Sequence, residues 1–374
     1  MSLSIDRVET PRDLAQFLKV VYRIYGKDHP QYVFPLLAQM KPFLDPKKNP
    51  FFEKAETQLW IARDGAMPVG RIGAAIDTVS NEYHDEQVGM FGFYEATDDP
   101  EVAEALLETA RKWIADKGMT TMRGPGCFST NHEYLGLHVQ GFERRPALGM
   151  PYHHPYYLKQ MEAFGLTKAK DLFDWEFTAP DNKAPARISD FAERLQKRQN
   201  FTIRRFRMDK FWEDVEIVRD IYFEAWKDNW GFVPMDEEMF RHSAQDMKSM
   251  VNPGFLLIAE HDGKPIGFSM STQDFNQALY SLKGSLLPFG WLKFLINKRK
   301  IDGARTLLMG VIPEYRKTGV DVMLVSETIK FGTSVGIARS SCSWILEDNV
   351  AMNRTLEKYG SKVVNVYRIL EKAV

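Results

Sequence analysis

Apolar and polar residues alternate in three early stretches, "TQLWIARDG", "PVGRIGAAIDTV" and "VGMFGFYEA", which predict β-strands between residues 57 and 96. The pattern then changes period. In "DPEVAEALLETARKWIADKG" the residues Val102, Leu106, Ala110 and Trp113 or Ile114 share one face of a helix. The same order returns after the midpoint. A helix is predicted in "DVEIVRDIYFEAWKDN", strands in "GFLLIAEHDGK", "PIGFSMSTQ" and "RTLLMGVIP", a helix in "VDVMLVSETIKFGTSVG" and a strand in "ARSSCSWILE".

The recurrence reads as an internal duplication. Adding 218 to Gly92 gives Gly310, to Leu106 gives Leu324 and to Gly118 gives Gly336, so the two long helices overlay without a gap. Farther on, "MEAFG" (Met161 to Gly165) overlays "LEKYG" (Leu356 to Gly360) at an offset of 195, which leaves 23 more residues (218 − 195) in the first half. The boundary is expected at "APDNKAPARISD", Ala179 to Asp190, where proline and polar residues interrupt the pattern. Helices interleaved with hairpins predict α/β domains, each built on a mixed, mostly antiparallel sheet.

One stretch carries chemistry. "GVIPEYRKTGVDVML", Gly310 to Leu324, reads as a strand turning through a basic, glycine-containing loop into a helix. Unpaired N–H groups and a partial positive charge at a helix N-terminus suit a phosphate, Gly319 permits close backbone approach, and Arg316 and Lys317 add charge. The pattern V-x-P-x-x-R-x-x-G (Val311, Pro313, Arg316, Gly319), with "EDNVAMNRTLEKYG" downstream and "NVYRILEK" after it, resembles the GNAT superfamily of acyl-CoA-dependent N-acyltransferases. The resemblance covers roughly residues 200 to 374. It implies two GNAT-like domains, 1–180 as a degenerate copy and 190–374 as the acyl-CoA-binding copy, since tandem GNAT chains occur in this superfamily.

The resemblance also implies an activity and a site. Acetyl-CoA or another acyl-CoA would lie on Gly310, Val311, Ile312, Arg316, Lys317, Thr318, Gly319, Val320 and Asn349. The acyl group would pass to a small-molecule or peptide amine, with strand N–H groups near Val311 and Ile312 stabilising the oxyanion. The family often has a tyrosine proton donor seven residues after the asparagine; here that position is Leu356, and Tyr359 lies one helical turn beyond as a substitute or an ordinary packed aromatic. Asp321 either complements the dipole of its helix or faces the diphosphate and weakens binding by ~1 to 4 kcal/mol. Other readings are a non-catalytic acyl-CoA sensor and an aminoacyl-transferase-like tandem protein.

The first half lacks the cradle, because Asp98 and Glu101 overlay Arg316 and Gly319; one CoA, not two, is expected. Its added segment, Arg123 to Tyr157, offers Ser129, Asn131, His132 and Glu133 as acceptor-side groups, with His132, Glu133 and a water-bridged Glu347 as candidate bases. It is the expected wall of an acceptor pocket at the domain interface. The bland reading is a loop bonded to its own backbone. His153 and His154 have no acidic partner at ligand spacing, and Cys127 reads as a buried thiol. Ser285 to Lys300, "SLLPFGWLKFLINKRK", reads foremost as a run covering a core with a solvated basic end; a lid over an acyl chain and a membrane-touching helix are the alternatives.

Bulk properties narrow the classes. A net charge of −1 argues against large nucleic-acid contacts, and two widely separated cysteines against a disulfide framework or zinc site. No apolar run reaches the ~20 residues of a membrane span and the polar N-terminus lacks a signal peptide's apolar core, so a cytoplasmic setting is expected. The oligomeric state is not legible.

Overall fold

The computed structural model describes residues 2–178, 184–248 and 250–374. Of the expected linker, residues 179–183 lie outside the described residues. The chain forms two compact units. The first comprises Met1–Phe173, Asn276–Arg299 and Asn365–Val374, and the second Asp174–Phe275 and Lys300–Val364.

In the first unit the strands β1 (Leu3–Arg7), β2 (Ala55–Asp64), β3 (Met67–Asp77) and β4 (Val88–Ala96) pair antiparallel in chain order. β4 then pairs in parallel with β5 (Thr121–Gly124) over three residues only, Val88 to Met90. The short β6 (Leu137–Gln140) precedes β7 (Thr167–Thr178), and residues 365–373, from the end of the chain, pair antiparallel with both β5 and β6. Helix α1 (Pro11–Ile24) opens with a capping box, Thr10 and Asp13 each satisfying the other's backbone, and buries Phe17, Leu18, Val20 and Val21. The short helices α2 (Leu37–Phe43) and α3 (Thr78–His84) follow in the first half.

Helix α4 (Pro100–Asp116) starts at Asp99, whose side chain accepts from the Glu101 N–H, with Pro100 in the first turn. It buries the expected face, Val102, Leu106, Ala110 and Ile114, and approaches the sheet where glycine leaves room: a Cβ at Gly70 would lie 2.7 Å from Leu106. Helix α5 (Tyr156–Ala163) completes this core with Tyr157 and Met161.

The second unit repeats the plan. Helix α6 (Ala184–Gln199) leads into β8 (Phe201–Arg205), β9 (Leu256–His261), β10 (Lys264–Gln273) and β11 (Gly303–Val311), again antiparallel, and β11 pairs in parallel with β12 (Arg339–Leu346). Helices α7 (Phe211–Trp226) and α8 (Glu237–Met247) lie between β8 and β9; α9 (Asn276–Leu279) and α10 (Gly290–Lys298) lie between β10 and β11 and belong to the first unit. Then come α11 (Val320–Ser334), α12 (Val350–Lys358) and β13 (Lys362–Ala373).

The duplication is therefore real in topology, but the gapless overlay is not. β4 opens at Val88 and β11 at Gly303, 215 apart (303 − 88), whereas the helix-ending glycines Gly118 and Gly336 keep the 218 offset and both take positive φ. Three residues separate β4 from α4, and eight separate β11 from α11. The longer connection in the second unit is the basic loop.

An ion cluster clamps α7 to β8. Asp214 is fully buried and accepts from both Arg204 (2.7 Å) and Arg207 (2.6 Å). Burial pushes its carboxyl up, but the Arg207 and Arg204 hydrogen bonds outweigh that and hold it at about 2. Its folded pKa is depressed, so the contribution is present above the ordinary aspartate range and is lost as pH falls toward 2. Asp214→Asn should lower Tm at pH 7, and the gap from wild type should narrow as pH approaches 2. An equal gap at both pH values would contradict this origin.

Candidate active site

The loop expected to hold a phosphate joins β11 to α11, and the Leu195 side chain packs over its Gly319. β11 and β12 pair only from Gly303–Arg339 to Thr306–Cys342, although both strands continue, so they part beyond Thr306. The Ile312 N–H is bonded to the Ile266 carbonyl (3.0 Å), which leaves it no part in an oxyanion site. Antiparallel alternation turns the Val311 and Met309 N–H groups the other way, toward the parted edge. Lys317 (φ 67°) and Gly319 (φ 92°) are both left-handed, and no side chain caps α11. The first N–H groups of that helix, from Val320 onward, therefore lack an intrahelical partner and a cap.

Arg316 is partly committed: its guanidinium donates to the Ala225 carbonyl in the last turn of α7 (2.9 Å). Lys317 is exposed, and the Thr318 hydroxyl donates to the Tyr315 carbonyl (2.7 Å). Asn349 caps α12, accepting from the Met352 N–H (3.2 Å). Burial and the nearby Asp321 carboxylate push Tyr359 up to about 12, so its hydroxyl stays protonated next to the first turn of α11.

The first unit holds a separate pocket of about 720 Å³, counting the space at its mouth. Its walls include Tyr32, Pro35, Arg71, Glu95, Cys127 and His153. Glu95 is brought there by a β-bulge. Gly73 pairs with Gly92 and Arg71 with Glu95, so one residue of β3 faces two of β4, and Phe93 takes φ 50°. Glu95 is 5% exposed; it accepts from the Tyr157 hydroxyl (2.8 Å) and lies 3.6 Å from the Arg71 guanidinium.

Burial raises the Glu95 carboxyl to about 7, against the pull of Arg71 and of hydrogen bonds from Tyr25 and Tyr157. Attraction to Arg71 is worth roughly 4 kcal/mol at an effective dielectric of 20, which does not repay the removal of both ions from water. The result is a carboxyl poised to exchange a proton near neutrality. Arg71 donates to the Phe17 carbonyl (3.1 Å), while its Nε is buried without a partner. Two other titratable walls, Cys127 and His153, are inert. Burial drives Cys127 up to about 12 and His153 down to about 3, leaving a neutral thiol and a neutral imidazole.

No family model matches the chain. It is 34% identical to a bacterial ceramide synthase of Caulobacter vibrioides over 100% of this chain and 98% of that one. It is 33% identical to the protein YghO of Escherichia coli, over 97% and 93%. Among solved structures it matches a tandem GNAT protein from the clavulanic acid biosynthesis pathway with a TM-score of 0.61 and 12% identity, over 100% and 98% of the two chains. The chain belongs to one family with these two curated relatives, and its fold is that of the tandem GNAT proteins.

Within this fold the expected acceptor-side residues sit apart from the pocket walls. His132 is packed between Phe43 and Phe51, ring centroids 5.0 and 4.8 Å away, with Nδ1 on the Cys127 carbonyl. Burial lowers it to about 4, so it is neutral at pH 7. Glu133 is exposed, and the Ser129 hydroxyl donates to Asp77 (3.0 Å). Neither His132 nor Glu133 lines the pocket, whereas Cys127, Tyr134 and His153 of the same segment do. His154 is stacked between Tyr25 and Tyr156. Glu95 and Arg71 were not foreseen. Their one signal is a charge in the interior of each of two largely apolar strands, Arg71 in β3 and Glu95 in β4.

Proposed function

We propose that this protein, which has the tandem GNAT fold, is an acyl-CoA-dependent N-acyltransferase whose acceptor is a long-chain amino alcohol and whose product is a fatty amide. The observation that carries the reading is Glu95, a buried carboxyl titrating near 7 in a pocket that mixes aromatic and proline side chains with polar groups. The full-length likeness to a bacterial ceramide synthase supports the acceptor class, because a ceramide is the N-acyl derivative of such an amine.

Acyl-CoA would supply an activated thioester. The uncapped start of α11, Gly319, Lys317 and the strand edge at Val311 suit its diphosphate and its amide-bearing arm. We assign this recognition to residues 190–374 and acceptor recognition to residues 1–180. Glu95 takes the proton that the acceptor's ammonium must lose before its nitrogen can attack. Arg71, with a spare buried donor, holds an oxygen of the acceptor. Tyr359, neutral to about 12, can return a proton to the departing thiolate.

The test is incubation of the protein with palmitoyl-CoA and a long-chain 2-amino-1,3-diol, reading thiol release and amide mass. Amide formation needing both substrates is expected. Lys317→Glu places an acid at the cradle and should raise the KM for acyl-CoA about tenfold, as loss of a charge-assisted contact does, without changing the KM for the amine. Stabilisation by acyl-CoA with no amide from any long-chain amine would favour the sensing reading instead.

A further inference from the structure

Leu287, Phe289, Trp291, Leu292, Leu295 and Ile296 all stand in solvent, 44% to 78% exposed. The run Ser285–Lys300 therefore does not cover a core, as its composition suggested. An unpartnered apolar surface of this density is rare on a soluble protein and marks a contact.

Its layout identifies the contact. At about 100° per residue, Trp291, Leu295, Leu292 and Ile296 fall within one arc of roughly 140° around α10. Lys293 stands at one border of that arc and Lys298 at the other, both exposed. On the opposite side, Phe294 and Asn297 are half-buried, and Asn297 donates to the Ser281 hydroxyl (2.9 Å). Between residues 284 and 301 the sequence holds Lys293, Lys298, Arg299 and Lys300 and contains no aspartate or glutamate, in a chain whose net charge is −1. An apolar stripe edged by lysines is the form of a helix lying in a lipid interface.

We propose that α10 and the loop before it dock flat on an anionic lipid bilayer, with the apolar arc below the headgroups and the lysines among them. A second copy of the chain is the poorer occupant, because two such surfaces would oppose lysine to lysine with no acid between them. The helix has nine residues, too short to cross a bilayer.

The surface is firmly based. The Tyr22 hydroxyl donates to the Lys283 carbonyl (2.9 Å), the Leu37 N–H donates to the Gly284 carbonyl (3.3 Å), and a Cβ at Gly284 would meet the Pro35 carbonyl at 3.0 Å. Pro35 and Asn276 also line the Glu95 pocket, so the docking helix is carried by that pocket's wall. This places an amphiphile leaving the membrane close to the acid. The docking inference rests on the surface alone and not on the acyl transfer proposed above, which is measured separately with detergent-dispersed substrates.

The experiment is sedimentation of the full chain with phosphatidylcholine vesicles, with and without phosphatidylglycerol. Wild type should bind the phosphatidylglycerol vesicles and bind the neutral ones at least tenfold more weakly. The triple change Trp291→Ser, Leu295→Ser, Ile296→Ser and the pair Lys293→Glu, Lys298→Glu should each weaken binding at least tenfold. Both should keep the wild-type Tm, since the side chains are exposed. Wild type that stays in the supernatant, or a triple variant that sediments equally well, overturns the proposal. So does a wild-type dimer in ultracentrifugation that ignores vesicles and dissociates in the triple variant.

Discussion

Glu95→Gln is expected to lower kcat by about 10²–10⁴-fold, the range for losing a positioned general base. Acyl-CoA should still raise Tm, because the cradle residues belong to a different unit. In wild type kcat/KM should rise with pH and level off above about 7, as the carboxyl buried beside Arg71 and Tyr157 ionises. Stability should run the other way. The folded pKa of Glu95 lies above its ordinary 4.5, so its contribution is full below that value and is lost as pH rises through about 7. Gln imitates the protonated side chain, and the variant should exceed wild type at pH 8 by on the order of 2–3 kcal/mol. At pH 4.5 the difference should vanish. A variant of full activity, or one whose stability difference does not vary with pH, would show that Glu95 is neither the base nor held neutral by its surroundings.

Gly92→Ala should carry the largest stability cost. A Cβ there would fall inside the carbonyl oxygen of Gly126 and lie 2.5 Å from its carbon and 3.1 Å from its nitrogen. The obstacle is backbone, tied to β4 by the Gly126 N–H on the Phe91 carbonyl (3.0 Å), so no rotamer change relieves it. Overpacking of this kind costs about 3 kcal/mol or more, which lowers Tm by roughly 6–12 °C in a domain of this size. Gly126 also lines the pocket, so activity should fall with stability. Gly118→Ala is the control for backbone conformation alone: its φ of 78° is unsuited to alanine, as that of Gly92 is not, but open space surrounds it, and about 1–2 kcal/mol is expected. Equal melting of the two variants would show that the backbone gap at Gly92 can widen at little cost.

Much of this was legible in the sequence, and the rest was hidden for definable causes. β4 and the glycine-ended helices follow from periodicity, because burial on one face fixes the period of apolar residues. The basic loop was legible from Gly319 and its neighbours. Its five-residue lengthening relative to the first unit was hidden, since a gapless overlay registers neither the three-residue strand slip nor the two-residue later helix start that add up to it. Glu95 and Arg71 were hidden for another reason. β3 and β4 are joined through α3 rather than by a tight turn, and a bulge shifts their register, so no counting of residues could set one charge opposite the other. Polar residues in the segment after β5 suggested His132 and Glu133, but a side chain's type does not tell whether it faces a cavity or a wall of phenylalanines. For Ser285–Lys300, hydrophobicity indicated burial without naming the partner that covers it.

The strand at residues 365–373 gives the first unit a schedule. Its pairing partner, Gly124, leaves the ribosome 246 residues before Leu370 (370 − 124). At about 5–20 residues per second, that interval is roughly 12–50 s. For that time β5 has an open edge on the side that the strand will fill, and β6 has no partner at His138 and Gln140. The half of the chain made first is thus the half finished last. The sheet of the first unit closes only after residue 373 has been made, so a chain interrupted before it leaves the first unit without its closing strand rather than yielding a working part.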